Sequence, residues 1–262
     1  MSSFLSPLAA FALLAAPTSF AASITVPYFE NFDSIAGAGS SGAVATATKI
    51  TQSATGYLNV VNASTNPAMR AQIMSGNSAS GSLNTGITGP NDFTISTQLL
   101  ANNLTAGTAT NMNYALVAAG ATNLTNTYRL NIDFLAGTIG LSKAGTAQTG
   151  ATVSGTAPSL ALNNALSVSL SGTYLSATSV LVTGVVSDAT NTYTLSFTDS
   201  SGIYTGEYYG FTSAKTTSTT STFSVYMDNF SINVVPEPSS ALLAAAGLSA
   251  FLSRRVRRSA WV

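Results

Sequence analysis

The chain has 262 residues, of which nine are basic and nine acidic, and it contains neither histidine nor cysteine. Only 7% of the residues are charged, against about 25% in a typical soluble domain. This composition excludes disulfides, zinc sites of the His/Cys kind and catalysis that needs either residue. The basic residues are also too few and too scattered for a nucleic-acid-binding surface, so nucleic acid is not an expected partner.

Residues 1–22 have the features of a secretory signal peptide. Residues 8–17 form a short apolar run, and small side chains follow it at Ser19, Ala21 and Ala22. We therefore expect signal peptidase to cut near Ala21 or Ala22. No Lys or Arg precedes the apolar run, which departs from the usual pattern. The alternative is a buried N-terminal helix, which Pro7 and Pro17 disfavour.

From residue 23 to residue 234 the dominant pattern is the alternation of apolar with hydroxyl-bearing or charged residues. Such alternation predicts half-buried antiparallel strands. In chain order, the predicted strands are 24–32, 57–62, 68–74, a run through Phe93 and Ile95, 113–118, 128–134, 138–142, 166–170, 180–186, 193–198, 208–213 and 222–234. Residues 36–47 and 75–88 are rich in Gly, Ser and Ala and are predicted to be surface loops. These elements predict one all-β domain, either a sandwich or a barrel.

The last predicted strand changes its phase. Its apolar residues sit at odd positions up to Met227 and at even positions from Phe230 onward. An extra residue near Asp228 and Asn229 would return both sets to the core. We therefore predict a β-bulge at this point.

Short motifs at both ends of this domain resemble the concanavalin A-like lectin and glucanase family. They are Tyr-Phe-Glu-Asn-Phe-Asp at 28–33 and Met-Asp-Asn-Phe-Ser-Ile at 227–232. Residues 166–170 and 180–186 resemble the central hairpin region of that fold, and residues 209–211 its penultimate strand. The resemblance implies an antiparallel β-sandwich of the jelly-roll type over residues 23–234.

The predicted domain offers few groups for catalysis. It contains eight acidic and five basic residues, which give a net charge of −3. Its two glutamates, Glu30 and Glu207, are far apart in sequence, and the E-x-D-x-E pattern of the catalytic glucanases is absent. We expect a non-catalytic protein, with a divergent glycoside hydrolase or a purely structural, adhesive protein as alternatives.

Carbohydrate binding and a structural calcium ion are the remaining site predictions. Four tyrosines could form an aromatic platform for a sugar, although tyrosines at alternating strand positions more often belong to the core; they are Tyr114, Tyr174, Tyr208 and Tyr209. The resemblance to sugar-binding jelly rolls implies Ca²⁺ where the first and last strands meet, with Glu30, Asp33 and Asp228 as oxygen ligands. Alternatively, Asp33 and Asp228 bond the backbone at a turn and at the bulge.

The carboxyl end combines three features in order: Pro236-Glu237-Pro238, an apolar stretch over 239–252 and a basic cluster formed by Arg254, Arg255, Arg257 and Arg258. As a helix, the apolar stretch would be about 21 Å long, which snorkelling arginines can extend across a membrane.

This arrangement resembles the PEP-CTERM sorting signal of exopolysaccharide-producing Gram-negative bacteria. The resemblance implies transient anchoring in the inner membrane through 239–252, with Pro236, Glu237 and Pro238 recognised by an exosortase that removes the tail. The expected product is an exported protein of the outer surface or extracellular matrix that binds polysaccharide.

Overall fold

The protein is described by a computed structural model over residues 24–32, 51–53, 57–60, 71–74, 78–105, 111–121, 124–215 and 222–235. Within these ranges all regular elements are β-strands, and they form two antiparallel sheets. The predicted signal peptide, Asp33, the loop 36–47 and the carboxyl tail from Pro236 lie outside the described residues. No helix in the described ranges has the length and hydropathy that a membrane crossing requires.

The larger sheet contains nine of the described strands, in the spatial order β11-β14-β13-β12-β6-β16-β4-β3, with β1 paired to β16 beside β4. Its strands are β1 (Tyr28–Glu30), β3 (Tyr57–Val60), β4 (Ala71–Met74), β6 (Asp92–Thr105), β11 (Thr152–Gly155), β12 (Ala165–Ser176), β13 (Ser179–Ser187), β14 (Thr192–Asp199) and β16 (Thr222–Val235). The first strand and the last strand of the described domain are therefore neighbours.

The smaller sheet contains seven described strands in the order β10-β9-β8-β7-β15-β5-β2. Its strands are β2 (Thr51–Ser53), β5 (Ser78–Asn84), β7 (Met112–Gly120), β8 (Tyr128–Asp133), β9 (Thr138–Lys143), β10 (Thr146–Ala147) and β15 (Tyr208–Lys215).

The inward faces of the two sheets share one hydrophobic core, so the fold is a β-sandwich. Phe93 of the larger sheet packs edge-on against Tyr209 of the smaller one, with ring centroids 5.6 Å apart. Phe230 and Phe211 make a second contact of this kind at 5.6 Å. The sheets approach so closely at Gly184 that a Cβ there would lie 2.7 Å from Leu130. The predicted all-β sandwich is therefore confirmed.

The bulge in the last strand is also confirmed. The register between β16 and β6 shifts between Asp228 and Ser231. Asn229 adopts a φ of 51°, in the left-handed region that Asn tolerates better than most residues. As a result, Met227 and Phe230 are both fully buried, although their sequence positions have opposite parity.

The prediction of a surface loop over residues 75–88 is wrong between Ser78 and Asn84, because these residues form strand β5. Its residues alternate Ser with Ala79, Gly81 and Leu83, but Ala and Gly are too weakly apolar for this alternation to stand out as a strand. Backbone pairing with β15 on one side and β2 on the other forms the strand instead. A Cβ on Gly210 would lie 2.0 Å from the carbonyl oxygen of Gly81, so the small residues permit this close approach. Strands β2, β10 and β11 were likewise not predicted.

Ser213 provides a test of polar burial in this core. Its side chain is fully buried, and its Oγ has no hydrogen-bond partner among the described residues. Because an unpaired buried hydroxyl costs about 1–3 kcal/mol, we expect Ser213→Ala to stabilise the protein by about 1 kcal/mol. Differential scanning calorimetry should show this as a melting temperature raised by about 2–4 °C.

Ser142 is the matched control. It is equally buried, but its Oγ accepts a hydrogen bond of 2.9 Å from the Asn131 side-chain amide. Ser142→Ala should therefore destabilise the protein by about 1 kcal/mol. Equal losses of stability in the two variants would contradict the interpretation.

Candidate functional site

The outer face of the larger sheet carries an uncharged row of side chains that crosses five strands. Register pairs Phe29 of β1 with Ser231 of β16 and Ser231 with Ser96 of β6. Ser96 pairs in turn with Ser169 of β12, and Ser169 with Val185 of β13. The same alternation that buries the apolar partners of these residues places them on the solvent side.

A groove of about 350 Å³ lies over this row. None of its lining residues carries a formal charge; they are Phe29, Ser96, Thr97, Gln98, Ser167, Val168, Ser169, Val185, Ser187, Asn229 and Ser231. All of them belong to five neighbouring strands of one sheet, so the backbone ladder fixes their positions. The groove is therefore a preformed, uncharged surface.

The bulge shapes one side of the groove. The buried Thr97 donates its hydroxyl hydrogen bond to the Asp228 carbonyl at 2.8 Å, which holds the bulged backbone against β6. Asn229, in its left-handed conformation, donates from its side-chain amide to the Gln98 side-chain oxygen at 3.2 Å. The bulge that keeps both halves of β16 packed in the core thus also places the Asn229 side-chain amide in the groove.

The remaining groove groups are available for a ligand. Ser96 and Ser231 share one hydrogen bond of 2.7 Å between their hydroxyls. No hydrogen bond to another described residue engages the hydroxyls of Ser167, Ser169 and Ser187. Each free hydroxyl can donate one hydrogen bond and accept two.

Phe29 supplies an aromatic surface at one end of the groove. Its side chain is 61% exposed, and it is the one aromatic side chain mostly open to solvent among those whose burial the structure describes. Phe29 was not among the predicted site residues, because aromatic residues surround it in the motif at 28–33. Its opposite parity to the buried Phe32 was the signal that could have indicated an outward position.

Three of the four tyrosines considered for sugar binding belong to the core instead. Tyr114, Tyr209 and Tyr174 are exposed by 0%, 2% and 8%. Burial raises the pKa of all three phenols well above the ordinary value. Tyr114 stacks on Phe211 with ring centroids 6.2 Å apart. All three side chains lie on the inward faces of their strands. Tyr208 is half-buried and is therefore the one partly accessible tyrosine of the four.

The structure pairs the two strands that carry Glu30 and Asp228, two of the three residues of the predicted calcium site. Glu30 pairs across the sheet with Phe230, two residues from Asp228. The Glu30 carboxylate accepts a hydrogen bond of 2.8 Å from the backbone N–H of Phe32, and Asp228 accepts one of 2.8 Å from Asn229. Among the described residues no three acidic groups cluster in a way that could hold a metal ion. Because Asp33 lies outside them, the calcium site stays a prediction.

The two glutamates considered for hydrolysis lie on different sheets. Glu30 is in β1 of the larger sheet, whereas Glu207 precedes β15 of the smaller sheet and accepts a hydrogen bond of 3.2 Å from the Asn84 side chain. Neither lines the groove.

A second cavity, of about 360 Å³, lies where the end of β14 faces the β9–β10 hairpin. Its centre is an ion pair in which the Lys143 Nζ is 2.7 Å and 2.9 Å from the two carboxylate oxygens of Asp199. Asp199 also accepts hydrogen bonds from the Tyr128 hydroxyl at 2.7 Å and from the Ser201 backbone N–H at 3.1 Å. We call Lys143, Asp199 and Tyr128 the clasp, because they join the two sheets at this corner.

The groups of the clasp satisfy one another. Lys143 donates to Asp199 and to the Ser201 carbonyl, and it lies over the Tyr204 ring at 5.2 Å. The Tyr128 hydroxyl accepts a bond from the Tyr204 backbone N–H at 2.9 Å. With these groups engaged, the clasp serves to close the sandwich.

No family model and no curated protein matches this chain. Among solved structures, it is similar to peanut lectin with a nonapeptide, at 12% identity and a TM-score of 0.48, over 82% of this chain and 100% of the lectin. It is similar to a carbohydrate-binding module, CBM66 from Bacillus subtilis, at 12% identity and a TM-score of 0.43, over 68% and 92% of the two chains.

A third similar structure is the alginate lyase Aly36B in complex with an alginate tetrasaccharide, at 9% identity and a TM-score of 0.45, over 80% and 98% of the two chains. At these low identities and TM-scores, the similarities say nothing about the ligand or activity of this chain.

The clasp yields a prediction about acid stability. Burial raises the pKa of Asp199, but the hydrogen bonds from Lys143, Tyr128 and the Ser201 backbone outweigh it, so that the pKa lies below its ordinary value. A carboxyl group whose folded-state pKa is depressed stabilises the fold above its unfolded pKa of about 3.9 and loses this contribution as the pH falls. Asp199→Asn should therefore cost about 2–3 kcal/mol near pH 7, and this difference from the unmodified protein should shrink at pH 3.

Urea unfolding at pH 7, pH 5 and pH 3 measures this difference. Lys143→Met is the companion variant, because it removes the cation and leaves the carboxylate in place. It should also destabilise the protein at pH 7. A loss in Asp199→Asn that is the same at pH 7 and pH 3 would show that the carboxylate charge contributes nothing.

Proposed function

We propose that this domain binds polysaccharide, without cleaving it, in the groove on the outer face of the larger sheet. The observation that carries the proposal is one uncharged groove that combines the exposed ring of Phe29 with the hydroxyls of Ser167, Ser169 and Ser187, which bond no other described residue. A sugar ring presents C–H groups on its faces and hydroxyls around its rim. It is therefore recognised by an aromatic surface next to groups that both donate and accept hydrogen bonds.

The location of the groove also supports binding. Its residues sit on paired strands, so little side-chain or loop ordering is needed when a ligand binds, and the entropic cost of binding is reduced. The resemblance of the motifs at 28–33 and 227–232 to the concanavalin A-like family agrees with this role. A carboxylate pair of the kind that glycoside hydrolysis needs is not part of the groove lining.

Phe29→Ala tests the groove directly. Removing the ring should lower the affinity for the bound polysaccharide about tenfold, because it removes about 1–2 kcal/mol of stacking. The measurement is isothermal titration calorimetry with the polysaccharide that scores highest in a glycan array, probed with residues 23–234 excised from the full chain and with the full chain itself.

Leu175→Ala is the matched control, since Leu175 is 59% exposed and does not line the groove. Its affinity should equal that of the unmodified protein. Equal losses in the two variants would place binding elsewhere, and no binding to any polysaccharide would favour the structural, adhesive alternative. Release of reducing sugar, lost on Glu30→Gln or Glu207→Gln exchange, would favour the hydrolase alternative.

We also propose that the protein is exported by a Gram-negative bacterium and sorted through its carboxyl tail. The support is the order of Pro236-Glu237-Pro238, the apolar stretch 239–252 and the arginine cluster 254–258. The two prolines keep Glu237 in an extended segment suited to an enzyme cleft. A removable apolar tail behind a polar recognition segment follows the logic of other carboxyl-terminal anchors.

Replacing Pro236, Glu237 and Pro238 together by alanine should leave full-length protein in the inner membrane. Mass spectrometry of the material released by the cells should then find the unmodified protein without Trp261 and little of the variant. Normal release of the variant, or released protein that retains Trp261, would contradict the sorting proposal.

A further inference from the structure

The row that crosses the groove has a regular spacing set by the sheet itself. Phe29, Ser231, Ser96, Ser169 and Val185 are consecutive register partners on five adjacent strands. Because neighbouring strands lie about 4.8 Å apart, the row spans about 19 Å from β1 to β13. A ligand that lies along the row thus meets a new side chain at each strand.

This spacing is close to the advance of one ring in an extended pyranose chain. When both glycosidic bonds of each ring are equatorial, the chain is a straight ribbon. Each ring then adds nearly one strand spacing to its length. Chains with axial linkages curve and advance less. Five strands in a row therefore match about five rings of an equatorially linked chain.

The two ends of the row are apolar and its middle is hydroxylic. Phe29 lies at the β1 end, half-buried Val185 lies at the β13 end, and three serines lie between them. The apolar residues suit the C–H faces of the first and last rings, and the serines suit the hydroxyls of the rings between. The groove lining includes no residue of β14, so the groove ends at Val185 although the register continues from Val185 to Thr194. The groove therefore has two defined ends, which limit the length of chain it can contact.

The absence of charge in the groove lining bears on the charge of the ligand. An acidic sugar would bring one carboxylate per ring into a groove whose lining includes no Lys or Arg. Moving a carboxylate from water against side chains that cannot neutralise it costs free energy. The lining therefore favours a neutral chain over an acidic chain of the same shape.

Resting on the proposed function above, we propose that the groove binds an uncharged, equatorially linked hexopyranose chain across the strands, one ring per strand from β1 to β13. Phe29 stacks on one terminal ring of the bound segment and Val185 contacts the other. The bound segment is about five rings long.

The experiment compares β-1,4-linked oligosaccharides of two to seven rings from three series by calorimetry on the full chain. The manno- and cello-oligosaccharides are neutral and extended. The oligomannuronates have the manno geometry and one carboxylate per ring, and therefore differ from the first series mainly in charge. The α-1,4-linked malto-oligosaccharides serve as the curved, neutral control.

Affinity in at least one neutral extended series should rise with each added ring up to five rings and then stay level. The oligomannuronates and the malto-oligosaccharides should bind at least about tenfold more weakly at equal length. Affinity for the neutral series should also hardly change between low and high salt, since no charge pair forms.

Two variants locate the ends of the bound segment. Phe29→Ala should weaken binding of three-ring and five-ring ligands alike, because the ring anchors both. Val185→Ala should lower the five-ring affinity about threefold, a loss of about 0.7 kcal/mol of apolar contact, and leave the three-ring affinity unchanged.

The outcomes separate this inference from the function it rests on. Equal or tighter binding of the oligomannuronates or malto-oligosaccharides, or affinity that continues to rise beyond five rings, overturns the inference while polysaccharide binding stands. The same holds if polysaccharides bind and neither neutral extended series does. If no oligosaccharide or polysaccharide binds, both the inference and the proposed function fail.

Discussion

The bulge at Asp228 and Asn229 is the constraint on which the rest of the structure depends. Strand β16 pairs with β6 along its whole length and with β4 and β1 on its other side. Without the extra residue, half of its apolar side chains would face solvent, since a shift of one residue reverses every side chain of a strand. The bulge keeps both halves in the core, joins the first strand to the sheet through the second half and places Asn229 in the groove.

Charged residues are scarce in this protein, so hydroxyl groups hydrate much of its surface in place of charged side chains. Serine and threonine occupy many of the outward positions of β6, β12, β13 and β14, where they suit the pleated backbone and keep the sheet face hydrated. The same choice makes that face a surface for hydrogen bonding with other hydroxyl-rich molecules. Hydration of the sheet and the proposed recognition of a glycan therefore rest on one set of side chains, and only the register of the strands turns this set into an ordered row.

Much of the fold could be predicted because alternation is local. Residues 166–170 and 180–186 show it clearly, and they form paired strands. Strand β5 escaped prediction because its alternation of Ser with Ala, Gly and one Leu is only weakly apolar, and because the strands that pair with it, β15 and β2, are distant in sequence. The groove could not be predicted for the same reason. Phe29, Ser96 and Ser169 are far apart in the sequence, and only the cross-strand register places them in one row. The sequence position of a single residue indicated at most which face of a sheet its side chain occupies, as the buried Tyr114 and Tyr209 illustrate.

The two polar clusters of the sandwich differ in how far their hydrogen-bonding capacity is used. In the clasp, Asp199 accepts hydrogen bonds from both Lys143 and Tyr128, and Tyr128 also accepts one from the backbone. This arrangement is typical of a cluster that holds two sheets together. In the groove, the hydroxyls of Ser169 and Ser187 form no hydrogen bond with another described residue, and a hydroxyl open to solvent is generally hydrated. Replacing that water costs little when the ligand supplies equivalent hydroxyls and much when it supplies an unpaired charge. The unused hydrogen-bonding capacity, more than the size of either cavity, therefore favours the groove over the clasp as the proposed binding surface.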